Sequence, residues 1–233
     1  MTRLTSFGGL NGPEWMPDGD GILFTSGNRL FHLTTSGERE QMPGTAMTIA
    51  SVSSDGELIL TGQWSAEGSF DVRARKLDAL DDIPVLTSRF NEGFATLSPD
   101  DRFIAYASDE TGRDEVYVQP FPGPGEKLKL SIDGGTEPAW SGDGREIFYR
   151  DGSKLMSVSF LGGRGGETDA GDPIMLFDRS LSGRRLARRN RNYDVSPDGQ
   201  SFVMIETEKS GTCPEIHVVL NWFEELRRLV PTK

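Results

Sequence analysis

Short runs of apolar, strand-forming residues alternate with short polar turns along almost the whole chain. The pattern is clearest around position 140, where the run 137–140 is followed by the turn Ser141-Gly142-Asp143-Gly144. The next run, 145–150, is apolar on both faces of an extended chain, and a second turn leads to a third run at 154–159. This pattern predicts short β-strands joined by tight turns, with the middle strand buried on both sides.

The same unit occurs five times. The copies of its turn are Trp15-Met16-Pro17-Asp18-Gly19, Val52-Ser53-Ser54-Asp55-Gly56, Leu97-Ser98-Pro99-Asp100-Asp101, Trp140-Ser141-Gly142-Asp143-Gly144 and Val195-Ser196-Pro197-Asp198-Gly199. Successive Asp residues are about 37 to 55 positions apart, and a strand-based repeat of this length is typical of a β-propeller. We therefore expect an all-β fold, a β-propeller of about five four-stranded blades.

The repeats divide residues 1–221 into one propeller domain. Its predicted blades lie near 10–43, 47–88, 93–132, 136–178, and 190–221 plus 2–6. The last copy has three strands, and the N-terminal segment has the pattern of an outer strand, so pairing the two would close the ring and remove two exposed sheet edges. Residues 222–233 have apolar positions at helical spacing, which predicts a short C-terminal amphipathic helix and tail.

Composition narrows the classes of partner. The chain has 233 residues and a formal net charge of −11, which argues against nucleic-acid binding because phosphate contacts need a basic surface. Cys213 is the only cysteine, so no internal disulfide is expected.

No apolar run approaches the roughly 20 residues of a membrane-spanning helix, and residues 1–20 lack the pattern of a signal peptide. Residues 1–5 read as a strand, which is compatible with a segment of a longer protein.

Two sets of segments resemble known families. Segments 98–106 and 134–141 resemble the WD40-like (PD40) repeats of TolB-like propellers. The tail formed by 193–199 and 218–226 resembles the C-terminal propeller of bacterial, acidobacterial-type serine/threonine protein kinases. The resemblance implies a sensor or interaction module of a bacterial signalling system, periplasmic if it belongs to a membrane-anchored sensor and cytoplasmic otherwise. The kinase motifs themselves do not occur in this sequence, so phosphoryl transfer is not implied.

The residue types that carry chemistry are few. His32 and His217 lie inside predicted strands, and Cys213 with His217 makes a metal-like pair without the further ligands that zinc requires. The five turn Asp residues are spread around the ring, where hairpin-turn chemistry explains them. We therefore predict no catalytic residues, no metal ligands and no cofactor.

Long loops on one face of the disc provide the candidate binding residues. They are Trp64 in loop 61–69, Asp109 and Arg113 in loop 108–114, and Arg184, Arg185, Arg188, Arg189 and Arg191 in loop 179–192. Arg offers planar paired donors for carboxylate or phosphate groups. The alternative is that the Arg-rich segment is a solvated insertion without a ligand. The predicted partner is a protein, a peptide or a small anionic ligand.

Three functions are consistent with this pattern. The leading hypothesis is a non-enzymatic propeller that binds a protein or ligand through these loops, since function on such scaffolds usually lies in loops. The alternative is a glycan-active hydrolase or lyase with carboxylates in the central funnel, as some TolB-like relatives are glycan-active. A third is self-assembly through an open blade edge or the C-terminal helix. The sequence leaves the oligomeric state open.

Overall fold

The alternating runs and turns form antiparallel strands throughout. The computed structural model describes residues 10–123, 125–163, 168–178, 191–205 and 216–219, and the regular structure in this part of the chain is β-strand. In chain order the strands are β1 (Leu10–Trp15), β2 (Gly21–Ser26), β3 (Arg29–Thr34), β4 (Arg39–Thr45), β5 (Thr48–Val52), β6 (Leu58–Trp64), β7 (Phe70–Lys76), β8 (Ile83–Leu86), β9 (Glu92–Leu97), β10 (Phe103–Ser108), β11 (Glu115–Pro120), β12 (Leu128–Lys129), β13 (Thr136–Trp140), β14 (Glu146–Asp151), β15 (Lys154–Gly162), β16 (Thr168–Ala170), β17 (Ile174–Asp178), β18 (Tyr193–Val195), β19 (Phe202–Ile205) and β20 (Ile216–Val219).

These strands form five sheets in the described part of the chain. The first three are four-stranded meanders in the orders β1-β2-β3-β4, β5-β6-β7-β8 and β9-β10-β11-β12. In the fourth sheet β15 pairs with β14, β16 and β17, and the fifth is β18-β19-β20. The predicted all-β propeller fold is therefore confirmed. The N-terminal segment 2–6 and the helix predicted for 222–233 lie outside the described residues, so ring closure by the N-terminal strand stays a prediction.

The fourth sheet contains an extra hairpin. Its strand β15 extends to Gly162, and β16 pairs with the last three residues of β15, Phe160 to Gly162. The strand β17 pairs with residues 154–157 at the beginning of β15. The two later strands therefore pair with different parts of β15.

The hydrophobic core lies between neighbouring sheets. In β10 all six residues are buried, as a middle strand must be when its sheet packs between two others. Between the third and fourth sheets, the rings of Trp140 and Phe103 each meet Phe160 edge-on at 5.1 Å between centroids. The three other described sheet interfaces contain similar clusters of buried residues. Each sheet therefore depends on its neighbours for burial.

The Asp-centred turns are held by a repeated hydrogen-bond arrangement. In the third copy the Ser98 hydroxyl donates to Asp100 (2.7 Å) and accepts from the backbone N–H of Phe103 (3.0 Å). The second, fourth and fifth copies repeat the Ser-to-Asp bond, whereas Met16 replaces the serine in the first. The turn Asp residues thus organise their own hairpins, as the sequence indicated.

The first strands of four sheets each contain a β-bulge. The pairing register shifts between Asn11 and Glu14 in β1, and equivalent shifts interrupt β5, β9 and β13. The backbone is left-handed at Gly12 (φ 54°), Phe94 (φ 52°) and Glu137 (φ 58°). Such β-bulges turn side chains away from the regular pleat and are common beside binding sites.

Candidate functional site

The first strands of the first, second, third and fifth sheets line one cavity. It has a volume of about 470 Å³, within the range of ligand pockets. Its wall consists of residues 12–15, 49–50, 94–96 and 191–194, together with Val203. Three of the register shifts lie in strands that border this cavity, so the bulges shape its wall.

Glu14 is the cavity's most perturbed carboxyl group. Burial raises its pKa to about 7, and the nearby Asp194 carboxylate adds to this, while the Arg191 guanidinium opposes it. The dominant cause is loss of hydration of the charged form. Glu14 therefore changes charge near neutral pH, which is frequent at functional sites and rare for a carboxyl elsewhere.

Arg191 and Asp194 contribute the other charges. Arg191 Nη2 lies 3.7 Å from Asp194 Oδ1, and the Arg191 side chain is 23% exposed against 73% for Asp194. Burial acts to lower the pKa of Arg191, but the Glu14 and Asp194 carboxylates raise it above its usual value. With Glu14 ionised, these three side chains carry two negative charges and one positive charge.

The wall segment that carries these residues is anchored to the neighbouring sheet. The backbone N–H of Asn192 donates to Glu137 Oε2 (2.7 Å), and the Tyr193 hydroxyl donates to the Glu137 carbonyl (2.7 Å). Arg150 Nη1 donates to the same carboxylate (3.1 Å). Because Glu137 and Arg150 are buried, this network fixes the backbone from which Arg191 and Asp194 project.

Apolar groups form the rest of the wall. Trp15 is 61% exposed and Val203 is 43% exposed, although both line the cavity. Phe94, Ala95 and Ile49 add further apolar surface. The cavity therefore combines a few charged groups with aromatic and aliphatic surface, the usual composition of a binding pocket.

Of the binding residues predicted from the sequence, Arg191 lies in this cavity. Trp64 packs edge-on against Phe70 at 5.2 Å and remains 43% exposed. Arg184, Arg185, Arg188 and Arg189 lie outside the described residues. The anion-binding role predicted for the arginines stays a prediction.

The other two predicted residues hold neighbouring loops together. Asp109 accepts hydrogen bonds from the backbone N–H (2.9 Å) and the side-chain amide (2.7 Å) of Asn91. Arg113 donates to Glu115 (2.7 Å) and to the carbonyl of Ile132 (2.7 Å). Both side chains therefore already have partners within the protein.

The sequence contains an unused signal for Glu14 and Asp194. Each lies four residues before the Asp of its own turn, Asp18 and Asp198 respectively, and Thr96 has the same place before Asp100. All three of these residues line the cavity. Aligning the five copies on their Asp would have grouped these three residues at one position of the repeat.

Within the described ranges, no group of three or more His, Cys, Asp and Glu side chains is arranged to hold a metal ion. Likewise, these ranges contain no helix with the length and apolarity that crossing a bilayer requires.

Comparison with solved structures shows TolB-like propellers among the neighbours. The TolB-type protein of Agrobacterium tumefaciens is 16% identical, with a TM-score of 0.71 over 91% of this chain and 77% of that one. TolB from Acinetobacter baumannii is 19% identical, with a TM-score of 0.64 over 91% of this chain and 52% of that one. An oligogalacturonate lyase in complex with manganese is 15% identical, with a TM-score of 0.62 over 96% of this chain and 65% of that one.

These likenesses establish the fold. The chain spans about half the length of the Acinetobacter protein and just under two thirds of the lyase. No protein-family model matches the sequence, and no curated protein matches it.

Proposed function

We propose that this chain is a non-enzymatic binding propeller that receives a segment of a partner protein in its central cavity. The observation that carries the proposal is the cavity itself, where Glu14, Arg191 and Asp194 stand beside the exposed surfaces of Trp15 and Val203. A pocket with few charged groups and much apolar surface suits a peptide, because the charges orient a ligand whose apolar parts supply affinity. The TolB-like fold supports the proposal as an analogy between scaffolds.

The resemblance to kinase-linked propellers suggests a biological setting. We place the chain in a bacterial signalling system as a sensor or interaction module. A periplasmic location follows if it is part of a membrane-anchored sensor, and a cytoplasmic location otherwise.

Selection from a random peptide library tests the proposal. Peptides of about twelve residues displayed on phage are selected on the wild-type protein and then tested on Ala50→Trp, which fills the cavity wall at a lining position. Ser36→Trp, in the exposed turn between β3 and β4, is the matched control. Circular dichroism establishes that both variants are folded.

We expect peptides that bind wild type and Ser36→Trp and lose binding to folded Ala50→Trp. The proposal is overturned if no peptide is recovered, or if the recovered peptides bind Ala50→Trp as well as wild type. A different lining variant, Thr96→Trp, keeps the test decisive if Ala50→Trp does not fold.

A glycan-active enzyme is the second candidate. It is favoured by the structural likeness to an oligogalacturonate lyase and by the near-neutral pKa of Glu14, which suits a general acid or base. A lyase leaves a double bond in its product, so ultraviolet absorbance follows its reaction on oligogalacturonate, with and without added manganese. Turnover abolished in Glu14→Gln would establish an enzyme, whereas the binding proposal expects no turnover that depends on Glu14.

A further inference from the structure

The charges of the central cavity indicate which ligand side chain it receives. Building on the proposed function, we infer that the bound peptide places a basic side chain, Lys or Arg, against the carboxylates of Glu14 and Asp194, with its aliphatic stem on Trp15. All three of these residues line the cavity described above.

The charged side chains in the described cavity wall have an excess of negative charge when Glu14 is ionised. Glu14 and Asp194 provide two carboxylates in the described wall, and Arg191 provides a single guanidinium. A basic ligand group balances the excess negative charge, whereas an acidic group would add a third carboxylate around one arginine. The formal net charge of −11 for the whole chain acts in the same direction by attracting cations over longer range.

The carboxylate of Asp194 is accessible to a ligand. Its oxygen lies 3.7 Å from Arg191 Nη2, which is beyond hydrogen-bond distance. The carboxylate is held in place by its neighbour instead, because the backbone N–H of Val195 donates to Asp194 Oδ1 at 2.9 Å. With 73% of its side chain exposed, Asp194 is oriented but still accessible to a second cation.

Apolar surface lies in the same cavity wall as the charged groups. Lys and Arg have aliphatic stems that pack on apolar groups while their heads remain with polar partners. Trp15 and Val203 are exposed large apolar side chains of the cavity wall. An indole also attracts a cation placed over its ring. A basic side chain therefore uses both kinds of surface at once, which a short polar side chain does not.

The wall segment 191–194 is anchored to the neighbouring sheet. The contacts of Glu137 with Asn192 and Tyr193 fix the wall segment before a ligand arrives. A preorganised site loses less conformational entropy on binding. The carboxylate of Asp194 is thus presented from a backbone that does not need to reorder.

The test begins with the peptides recovered on wild-type protein. Each is synthesised unchanged and with its Lys or Arg replaced by norleucine or glutamine, and the affinities are measured by titration calorimetry at pH 8. The same peptides are titrated into Glu14→Gln and Asp194→Asn. Asp172→Asn, an exposed residue outside the cavity, is the control for an equal change of charge.

We expect basic residues to be enriched in the recovered peptides and their replacement to weaken binding about tenfold, which corresponds to about 1.4 kcal/mol. Glu14→Gln and Asp194→Asn should each weaken binding about fivefold, with Asp172→Asn within about twofold of wild type. Equal losses in all three variants would show a general effect of charge and overturn the inference.

The two proposals fail in different ways. If the recovered peptides need the open cavity but are apolar or acidic, the inference is overturned and the binding function stands. If acidic peptides depend on Arg191, the ligand has the opposite charge to the one inferred. If no peptide depends on the open cavity, the binding function itself is overturned.

Discussion

Glu14 illustrates how burial makes one residue sensitive to pH. Its pKa is raised from 4.5 to about 7, so the folded protein favours the protonated form more than the unfolded chain does. The stability that this provides is complete below about pH 4.5 and is lost as the pH rises through about 7. At pH 8 the folded state therefore holds an ionised group that the unfolded chain hydrates better.

The first prediction concerns Glu14→Gln, which has nearly the same shape and does not titrate. We expect the free energy of unfolding of the variant to exceed that of wild type by about 1–3 kcal/mol at pH 8, given 1.4 kcal/mol per pKa unit. The difference between the two proteins should become smaller toward pH 5. Urea unfolding of both proteins between pH 5 and pH 8 measures this difference. The contributions of other titrating groups cancel because both proteins contain them. A difference that does not change with pH would contradict the raised pKa.

The second prediction concerns Asp109, whose two oxygens accept bonds from Asn91. Asp109→Ala leaves the polar groups of Asn91 without these partners, so we expect a loss of about 1–3 kcal/mol in the free energy of unfolding. Asp81→Ala, at an exposed loop position, is the control, with an expected change within about 0.5 kcal/mol. Equal stabilities of the two variants would show that the contact with Asn91 contributes nothing.

The contacts of individual side chains were harder to predict from the sequence than the strands and turns. The loop positions of Asp109 and Arg113 suggested accessible charges, but both bond to neighbouring loops that are distant in sequence. Glu14 was overlooked for the opposite reason, because a carboxylate in a strand gives no local sign that it faces a cavity. Its significance depends on Arg191 and Asp194, which lie more than 170 residues away in the sequence.

At the level of elements, strands and turns were predictable because their signals are local. The Ser-x-Asp turn needs a few consecutive residues, and its hydrogen bonds recur in four described copies. The bulges of β1, β5, β9 and β13 were not predicted. A bulge is a mismatch between two paired strands, so the alternation within one strand does not reveal it. The cavity wall includes the strands that carry three of these bulges, β1, β5 and β9.

The third prediction compares two turns. Asp143 accepts bonds from the Ser141 hydroxyl (2.7 Å) and the backbone N–H of Arg145 (3.0 Å), whereas Asp18 accepts a bond from the backbone N–H of Asp20 (2.9 Å) in the copy where Met16 replaces the serine. We expect Asp143→Ala to lower the free energy of unfolding by about 1–2 kcal/mol and Asp18→Ala to lower it by about half as much. Thermal unfolding of both variants measures this, and an equal or reversed order would show that the serine adds nothing to the turn.

On the scale of the whole molecule, the cavity exists because sheets far apart in sequence meet around it. Residues 12–15 come from the first sheet and residues 191–194 from the last described one. The fold class followed from the repeat, but the repeat did not show which copies would supply charge. Two of the five copies place a carboxylate at the same position of the repeat, and burial of one of these groups, Glu14, couples the charge of the cavity to pH.

The fourth prediction follows from this coupling and applies to the basic peptides inferred above. With a pKa of about 7, the ionised fraction of Glu14 rises about tenfold between pH 6 and pH 8. We therefore expect affinity to rise severalfold over this range, since the ionised form attracts the basic side chain and the neutral form does not.

A bound cation also lowers the pKa of Glu14, so binding at pH 7 should release protons. Calorimetry in buffers of different ionisation enthalpy detects this release. In Glu14→Gln both the pH dependence and the proton release should disappear, while Asp172→Asn should keep them. Affinity for these basic peptides that is constant or falls from pH 6 to pH 8 in wild type would show that ionised Glu14 does not receive the basic side chain.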